Sequence, residues 1–335
     1  MARVTVLGSG AWGTTLGQIL CDAGNDVLVW GRNSETVAEI NSAHTNAHYL
    51  PNITLPRNLK ATDDANEAFA FSDNFILAIP AQDLRSKLND WAKLFPPAAH
   101  LVSTVKGIEV ATMMRMTEVV HDVLAHDQNR VSVITGPNLA SELALRQPAG
   151  AVAASRSGAE AEHVQALFNT NYYRVYTSTD LLGCELAGAV KSVIALAVGI
   201  SIGMEFGENT QSMLITRGLN EVARLGAAHG ASPLSAAGLA GMGDLVASCG
   251  SGLSRNRTFG EALGRGGTMA YARENVARTV EGVASAGAVV ELAHRVGVEV
   301  PIIESVADVV RGALTPRAAM ERLMSVSTHA EEFIK

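Results

Sequence analysis

A glycine-rich turn near the start of the chain constrains its fold more than any other feature. The segment GSGAWG at residues 8–13 has the pattern G-x-G-x-x-G, follows the apolar run Val4–Leu7 and opens a helical pattern over Gly13–Ala23. Between a strand and a helix, such glycines allow a tight turn, the approach of a pyrophosphate to the backbone and close packing of helix on strand. The sequence therefore predicts a dinucleotide-binding turn, with an ordinary glycine turn as the alternative.

Short apolar strands alternate with amphipathic helices through the first part of the chain. The alternation predicts an α/β fold, a doubly wound and largely parallel sheet of the Rossmann type with right-handed crossovers. The predicted strands are Val4–Leu7, Val27–Trp30, Phe75–Ile79, Leu101–Thr104, Val131–Ile134, Ala149–Ala154 and Arg174–Thr177.

Strand patterns almost vanish after about Asp180, and helical patterns follow. They cover Gly183–Gly203, Gln211–His229, Phe259–Gly264, Ser285–Val296, Ile302–Arg311 and Pro316–Met324. We therefore expect a dinucleotide-binding domain at residues 1–179 and an all-α substrate-binding and catalytic domain at residues 180–335. A cleft between two such domains is the usual place for a ligand.

Composition and charge exclude several classes of protein. The chain has 335 residues, of which 47% are hydrophobic and 18% charged, as is typical of a globular protein with about two domains. The net charge is −7 and there is no run of basic residues, so no nucleic-acid-binding surface is expected. An anionic ligand would have to be held by individual cationic side chains.

Neither a metal site nor a disulfide framework is expected. Cys21, Cys184 and Cys249 are odd in number and far apart, which favours reduced thiols in a core. His44 and His48 are four residues apart, but they lie in an Asn-rich loop without carboxylate or cysteine neighbours, and we expect that loop to be solvated. No signal-peptide pattern precedes the first strand, so we expect a cytoplasmic protein.

One lysine stands alone in a long apolar stretch. Lys191 is the only charged residue between Glu185 and Glu205. The stretch is about long enough to cross a bilayer, which needs roughly 20 residues, but its lysine, serines and glycines favour a core helix and no membrane span. Because an unpaired buried ammonium costs several kcal/mol, Lys191 has either a partner or a function. Its helical neighbours are mostly small, so another body can approach it; a structural ion pair and a lysine that reaches water are the alternatives.

The end of the second strand bears on the choice of dinucleotide. An acidic residue at this position would bind the adenosine ribose 2′-hydroxyl, but the chain has Trp30, Gly31 and Arg32. Arg32 suits a 2′-phosphate, so NADP(H) is preferred and NAD(H) is possible. The alternative is an ordinary exposed arginine.

Further polar residues lie in candidate loops. Lys106 and Asn138 follow predicted strands, where ligands of parallel sheets bind; a solvated lysine and a helix N-cap are the alternatives. The segment Ser254–Arg257 combines a hydroxyl, an amide and guanidinium groups that suit an anion, although a capping serine beside surface arginines is equally consistent. Asp244 lies in a glycine-rich apolar segment that we expect to be a loop, where it can pair with a lysine or accept from a substrate hydroxyl.

Eight short motifs occur in one order along nearly the whole chain, namely GSGAWG, VKG, GPNLA, GAVKSVIALAVGI, LITRGLNE, GLAGMGDL, SRNRTFG and VEG. Together they resemble those of bacterial NAD(P)-dependent glycerol-3-phosphate dehydrogenases. The resemblance implies an N-terminal Rossmann domain, a helical C-terminal domain resembling that of 6-phosphogluconate dehydrogenase, and assembly as a homodimer.

The same resemblance implies roles for individual residues. Lys191 matches the catalytic proton acceptor of the family. The residues that match its substrate contacts are Lys106, Gly136, Asn138, Lys191, Asp244, Ser254, Arg255 and Asn256. Those that match its cofactor contacts, with the motif glycines, are Gly8, Gly10, Ala11, Trp12, Gly13, Arg32, Lys106, Ala140, Arg255, Thr279 and Glu281. The chain departs from the family at Asn138, where Ser or Thr is common, and at Thr279, where Val or Leu is common.

The reaction that the resemblance implies is the reversible NAD(P)H-dependent reduction of dihydroxyacetone phosphate to sn-glycerol 3-phosphate, which supplies glycerophospholipid synthesis. In reduction, Lys191 can stabilise the alkoxide that develops at C2 and donate a proton to it; in oxidation it must be neutral. We expect the segment Ser254–Asn256 to hold the phosphate, and Lys106 and Asp244 to position Lys191 and the substrate oxygens.

Two other functions remain open. A dehydrogenase of the same architecture that acts on a β-hydroxyacid or a 3-hydroxyacyl thioester commonly uses a His–Glu pair or a differently placed lysine, and no histidine lies near Lys191 in the sequence. A non-catalytic NADP(H) sensor would bind the dinucleotide without an acid–base residue in its second domain. The setting of Lys191 argues against such a sensor.

Overall fold

The computed structural model describes residues 1–276 and 280–325. Contacts divide the chain into two compact units: Met1–Val105 with Met116–Leu181, and Lys106–Arg115 with the chain from Leu182 onward. A single division at residue 180 would leave Lys106–Arg115 in the first domain. The structure groups this segment with the helical unit instead, because Ile108 is buried in the helical core and its amide donates to Ser285 Oγ (3.4 Å).

The first unit is built on one eight-stranded sheet. Its strands are β1 (Arg3–Leu7), β2 (Asp26–Trp30), β3 (Lys60–Thr62), β4 (Asn74–Leu77), β5 (His100–Ser103), β6 (Val131–Thr135), β7 (Ala149–Ser155) and β8 (Tyr173–Ser178). They lie in the order β3-β2-β1-β4-β5-β6-β7-β8, and only the β6–β7 pair is antiparallel. The first six strands have the order of a Rossmann sheet, which confirms the predicted fold class.

Helices cover this sheet, so its central strands are buried and apolar. Among the described residues the helices of this unit are α1 (Ala11–Asp22), α2 (Ser34–Ala43), α3 (Ala65–Phe71), α4 (Leu84–Trp91), α5 (Met116–Leu124), α6 (Ala140–Ala144) and α7 (Gly158–Phe168), with 3₁₀ turns at Ala81–Asp83 and Gln128–Arg130. Asn33, Asp64 and Ser157 begin α2, α3 and α7, and each side chain accepts a backbone N–H of the first turn.

The second unit is built from helices, apart from its loops and the non-helical segment Lys106–Arg115. Its helices are α8 (Leu181–Gly203), α9 (Glu208–Ala228), α10 (Pro233–Ala237), α11 (Asp244–Gly250), α12 (Arg255–Gly264), α13 (Met269–Asn275), α14 (Glu281–Arg295), α15 (Pro301–Val310) and α16 (Pro316–Ser325), and a π-helical turn at Leu239–Gly243 leads into α11. Within the described ranges, α8 alone is long and apolar enough to cross a bilayer, and its most apolar window is 94% buried inside the fold. The predicted core helix is therefore confirmed.

Small residues on α8 allow α12 to pack against it at backbone distance. A Cβ at Gly199 of α8 would overlap the Arg257 carbonyl oxygen, and a Cβ at Gly260 of α12 would overlap the Leu196 carbonyl oxygen. Such contacts tolerate only glycine. Helix α12 therefore packs against the small-residue face of α8. The first residues of α12 belong to the segment Ser254–Arg257, whose side chains suit an anion.

Candidate functional site

The turn Gly8–Gly13 joins β1 to α1 in the first unit. Gly8 has φ = 133°, a conformation that favours glycine, and a Cβ at Gly13 would overlap the Gly8 carbonyl oxygen. Gly10 is the N-cap of α1, and a Cβ there would meet no atom within 4 Å. The turn thus combines tight packing with open space at a helix N-terminus, which is what the pyrophosphate of a dinucleotide requires.

Two predicted cofactor residues lie within this turn, and a third lies close to it. Ala11 and Trp12 are the first residues of α1, and Ala140 is the first residue of α6. Thr15 Oγ1 lies 2.9 Å from the Ala11 carbonyl oxygen and 3.2 Å from that of Ala140. The hydroxyl therefore holds the start of α6 beside the start of α1.

The end of β2 lies against the same turn. A Cβ at Gly31 would overlap the Ser9 hydroxyl, so only glycine fits between β2 and the turn. Arg32 follows, exposed, and precedes Asn33, the N-cap of α2. A free guanidinium at this point suits the 2′-phosphate of NADP(H), whereas no carboxylate ends β2 to bind a ribose hydroxyl.

The loop after β6 holds an amide that lacks a partner. Both polar side-chain atoms of Asn138 are buried and form no hydrogen bond with any described residue. Leu139 is the N-cap of α6, so the alternative of Asn138 as a helix cap is wrong. An unsatisfied buried polar group costs about 1–3 kcal/mol, which favours a ligand as the partner of this amide.

Two lysines and one aspartate form a buried cluster in the second unit. Asp244 Oδ1 lies 3.0 Å from Lys191 Nζ, and Asp244 Oδ2 lies 2.5 Å from Lys106 Nζ. Lys191 Nζ also donates to Ser248 Oγ at 2.6 Å. Asp244 and Lys191 are buried, and the Lys106 side chain is 20% exposed. The apolar setting of Lys191 thus contains both a carboxylate and a hydroxyl.

The surroundings of Asp244 differ from the expected loop. Asp244 is the first residue of α11, directly after the π-helical turn Leu239–Gly243. Ser248 lies one helical turn later and so faces the same side. Ser248 is a site residue that was not predicted, because the glycines of GLAGMGDL favour a loop. Helical spacing from Asp244 is the sequence signal that points to it.

The charges of the cluster determine how its members titrate. Burial would raise the pKa of Asp244, but the ammonium groups of Lys106 and Lys191 outweigh burial and hold that pKa below its usual range. Burial also lowers the pKa of Lys106 to about 8, even though Asp244 favours its charged form. With both lysines protonated, the cluster carries one net positive charge, which suits an anionic ligand.

The segment Ser254–Arg257 contains two side chains that stabilise local structure and one exposed arginine. Ser254 is the N-cap of α12, and its hydroxyl accepts from the Arg257 amide (3.4 Å). The Arg257 guanidinium is held by the Gly250 carbonyl and by Glu261. Arg255, the first residue of the helix, is exposed. Both interpretations of the segment therefore have a basis, capping for Ser254 and an accessible cation for Arg255.

Asn256 links two helix N-termini. Its Oδ1 accepts from the Gly282 amide at 3.0 Å, next to Glu281 at the start of α14. A Cβ at Gly282 would meet Asn256 Oδ1 at 2.9 Å, so the contact depends on glycine. Because this bond uses the oxygen, the chemistry that the Asn256 side chain can offer to a ligand is that of its Nδ2 N–H donors.

The predicted site residues fall into two sets, one in each unit. The set of the first unit is Gly8, Gly10, Ala11, Trp12, Gly13, Arg32, Gly136, Asn138 and Ala140. The set of the second unit is Lys106, Lys191, Asp244, Ser254, Arg255, Asn256 and Glu281. Thr279 lies outside the described residues.

The cysteines take no part in this chemistry. All three are buried and form no disulfide with a described residue, and burial raises the pKa of both Cys21 and Cys249 to about 12. These two thiols are therefore protonated and poor nucleophiles at neutral pH. Within the described part of the chain, no three His, Cys, Asp or Glu side chains are grouped so that they could hold a metal ion.

Comparisons with known proteins agree over almost the whole chain. Family models described as the N-terminus and the C-terminus of NAD-dependent glycerol-3-phosphate dehydrogenase match residues 3–161 and 180–321. A glycerol-3-phosphate dehydrogenase [NAD(P)+] from Streptomyces avermitilis is 50% identical over 329 residues, which is 98% of each chain. One from Thermobifida fusca is 48% identical over 334 residues, or 99% of each.

A solved crystal structure has the same fold. The glycerol-3-phosphate dehydrogenase of Coxiella burnetii superposes with a TM-score of 0.91 at 32% sequence identity, covering 97% of this chain and 99% of that one. The two matching family models, the identity to curated relatives and the Rossmann sheet with its helical partner unit lead to one assignment. The chain belongs to the NAD-dependent glycerol-3-phosphate dehydrogenase family.

Proposed function

We propose that this chain is an NAD(P)H-dependent oxidoreductase that reduces dihydroxyacetone phosphate reversibly to sn-glycerol 3-phosphate and so supplies glycerophospholipid synthesis. The observation that carries this proposal is the buried cluster of Lys191, Asp244 and Lys106. The cluster offers a proton donor and a net positive charge, and reduction of a phosphorylated ketone needs both.

Lys191 is the proposed acid–base group. An ammonium has three N–H donors, and those of Lys191 reach Asp244 and Ser248, which leaves the third for a substrate oxygen. Bound NAD(P)H would supply the hydride for C2. As negative charge develops on the C2 oxygen, Lys191 stabilises it and donates a proton. In oxidation, the neutral amine of Lys191 accepts the hydroxyl proton.

Other residues position the substrate in this proposal. Asp244 stays ionised and keeps the Lys191 ammonium aimed, because each oxygen of its carboxylate holds one lysine. Lys106 adds the second positive charge. Arg255 and the amide donors of Asn256 face the phosphate, with Ser254 holding the helix start. Gly136 and Asn138 are further proposed substrate contacts.

The dinucleotide belongs to the first unit in this proposal. The turn Gly8–Gly13 holds the pyrophosphate, and Arg32 makes NADP(H) the preferred cofactor, with NAD(H) possible. The structure supports the fit through the open space at Gly10 and the exposed guanidinium of Arg32. Further proposed cofactor contacts are Ala11, Trp12, Lys106, Ala140, Arg255, Thr279 and Glu281.

We also propose a cytoplasmic homodimer with a dinucleotide-binding domain at residues 1–179 and a catalytic domain at residues 180–335. Three buried cysteines that form no disulfide with a described residue suit a reducing compartment. Exposed apolar side chains in the helical unit, such as Leu234 and Val246, suit an interface between two copies. Segment Lys106–Arg115 would act with the catalytic domain.

A substrate panel tests the activity. We expect NADPH oxidation, followed by its near-ultraviolet absorbance, with dihydroxyacetone phosphate but not with dihydroxyacetone, which lacks the phosphate. Preferential turnover of β-hydroxyacids or of 3-oxoacyl thioesters would assign the chain to another dehydrogenase class. Tight NADPH binding without any turnover would identify a sensor instead.

Substitution of Arg32 tests the cofactor preference. Arg32→Ala removes a charge-assisted contact to the 2′-phosphate, so we expect the KM for NADPH to rise about tenfold or more while the KM for NADH stays unchanged. Arg57→Ala, which removes another exposed arginine of the same unit, should change neither constant. An unchanged KM for NADPH in Arg32→Ala would refute the role of Arg32.

A further inference from the structure

A fully buried asparagine contacts the glycine turn from a loop that was expected to be solvated. Asn46 follows α2, and its Nδ2 donates to the Ser9 carbonyl oxygen (2.9 Å) and to Thr14 Oγ1 (2.9 Å). Its Oδ1 is buried and accepts no hydrogen bond from the described residues. The Asn46 side chain therefore stabilises the glycine turn through the two hydrogen bonds that its Nδ2 donates.

Helix α2 fixes the loop that carries Asn46. Glu39 Oε1 accepts from Thr45 Oγ1 (2.7 Å) and from the Ala47 amide (2.7 Å). The hydrogen bond from Ala47, and to a lesser extent the one from Thr45, lowers the pKa of Glu39. Its carboxylate is therefore ionised at neutral pH. The Leu50 amide donates to the Asn46 carbonyl oxygen (2.8 Å) and closes the loop. Asn46 is thus held on both sides.

The hydrogen bond from Asn46 to the Ser9 carbonyl oxygen determines how the Ser9–Gly10 peptide group is oriented in the turn. The Ser9 carbonyl belongs to the same planar trans peptide as the Gly10 N–H, so the two groups point in opposite directions. Asn46 and Thr14, whose hydroxyl lies 3.2 Å from the Ser9 oxygen, hold the carbonyl on one side. The Gly10 N–H must then face the other side, at the N-cap of α1, where an anion binds.

We propose that Asn46 is a positioning residue for the dinucleotide, which fixes the Ser9–Gly10 peptide so that its N–H faces the pyrophosphate. Glycine tolerates many backbone conformations, so without Asn46 this peptide can rotate and present its carbonyl oxygen to the phosphate. The inference rests on the proposed function, since it requires the turn to bind NADPH. Asn46 acts on cofactor affinity and not on the chemical step.

Substitution of Asn46 tests this role through NADPH binding, measured by fluorescence titration without substrate. Asn46→Ala removes both donors, and Asn46→Asp places a carboxylate against the Ser9 carbonyl. We expect both to raise the Kd for NADPH about tenfold or more, as the loss of one to two hydrogen bonds implies. At saturating NADPH, kcat and the KM for dihydroxyacetone phosphate should stay within about twofold, since the substituted group stabilises cofactor binding alone.

A second buried asparagine of the same unit provides a matched control. Asn25 Nδ2 donates to the carbonyl oxygens of Leu20 (3.0 Å) and Leu167 (2.8 Å), and its Oδ1 accepts from the Ala2 amide (3.3 Å). Asn25 lies just before β2, at the amino end of the strand, whereas the turn follows the carboxyl end of β1. Asn25→Ala should lower the melting temperature at least as much as Asn46→Ala does, because it removes three side-chain hydrogen bonds and Asn46→Ala removes two. Its Kd for NADPH should remain within about twofold of wild type, since Asn25 holds no part of the turn.

The Kd values of these variants either support or overturn the proposed role of Asn46. A wild-type Kd for NADPH in either folded Asn46 variant overturns the inference, and so does a rise in Asn25→Ala as large as that in Asn46→Ala, since global loosening would then explain both. If one Asn46 variant fails to fold, the other provides the measurement. Wild-type protein that binds neither NADPH nor NADH would refute the proposed function as well, whereas normal wild-type turnover with unaffected Asn46 variants refutes the inference alone.

Discussion

At the scale of single residues, the chemistry depends on three charges that occupy one small volume. Asp244 uses one oxygen for Lys191 and the other for Lys106, and Ser248 accepts from Lys191. Removing one partner of a buried ion pair costs about 3–5 kcal/mol, because the remaining charge is left unpaired. The proposed acid–base group, Lys191, and the residues that hold its ammonium therefore depend on one another.

The pKa of Lys106 predicts the pH dependence of the reaction. Burial lowers this pKa to about 8, so the ammonium is charged below pH 8 and loses its proton as the pH rises through that value. Above it the cluster has no net positive charge and attracts a phosphate ester less. We expect kcat/KM for dihydroxyacetone phosphate, at saturating NADPH, to fall about tenfold per pH unit above pH 8.

A variant that keeps the charge checks this assignment. Lys106→Arg retains a positive group throughout the accessible pH range, so the decline above pH 8 should disappear even if the absolute rate is lower. A wild-type profile that stays flat up to about pH 10, the ordinary range of a lysine, would show that Lys106 does not control it.

Sequence reasoning reached some of these residues and missed others. Lys191 was recognisable because it is the single charge in an apolar stretch. Its partner Asp244 lies 53 residues away in the sequence, so their pairing depends on the fold. Asn46 could not be recognised, because an asparagine in an Asn-rich loop has no sequence sign of burial. Its 0% exposure arises from tertiary contact with the glycine turn.

At the scale of elements, the approach of α12 to α8 sets the position of the anion-suited residues. Gly199 and Gly260 let the two backbones meet. Ser254 and Asn256 then fix the start of α12, through the cap and through the bond from the Gly282 amide. The position of the groups proposed to bind the phosphate thus depends on the packing of α12 against α8.

Substitution of Gly199 tests this dependence. In Gly199→Ala the new Cβ overlaps the Arg257 carbonyl oxygen, so α12 must shift; we expect a loss of about 1–3 kcal/mol in the free energy of unfolding. The KM for dihydroxyacetone phosphate should rise several-fold, with an unchanged Kd for NADPH. The control is Gly287→Ala in α14, where a Cβ meets no atom within 4 Å and stability should be kept or slightly improved. Equal behaviour of the two variants would contradict the account.

The elements themselves were predictable where their apolar patterns are long. The runs that form β1, β2 and β4 to β8 stand out in the sequence, whereas β3 (Lys60–Thr62) has three residues and no apolar run. Helix α11 was missed for another reason: the glycines before Asp244 favour a loop, and the π-helical turn with its packing overrides that preference.

At the scale of the whole molecule, the two units carry different parts of the proposed reaction. The first contains the dinucleotide turn and the second contains the acid–base cluster. The change from strand to helix patterns near residue 180 is the basis of the proposed domain boundary. It could not predict that Lys106–Arg115 would group with the helical unit, because that depends on contacts such as the one between Ile108 and Ser285, 177 residues apart.

The central claim is that Lys191 transfers the proton at C2, and Lys191→Ala tests it most directly. The measurement is kcat for dihydroxyacetone phosphate reduction together with the Kd for NADPH, in wild type and variant, after a melting curve shows that the variant is folded. We expect kcat to fall about a thousandfold, within the range of general acid–base catalysis, and the Kd to stay within about twofold. A folded variant that binds NADPH normally and keeps kcat within about tenfold of wild type would contradict the account.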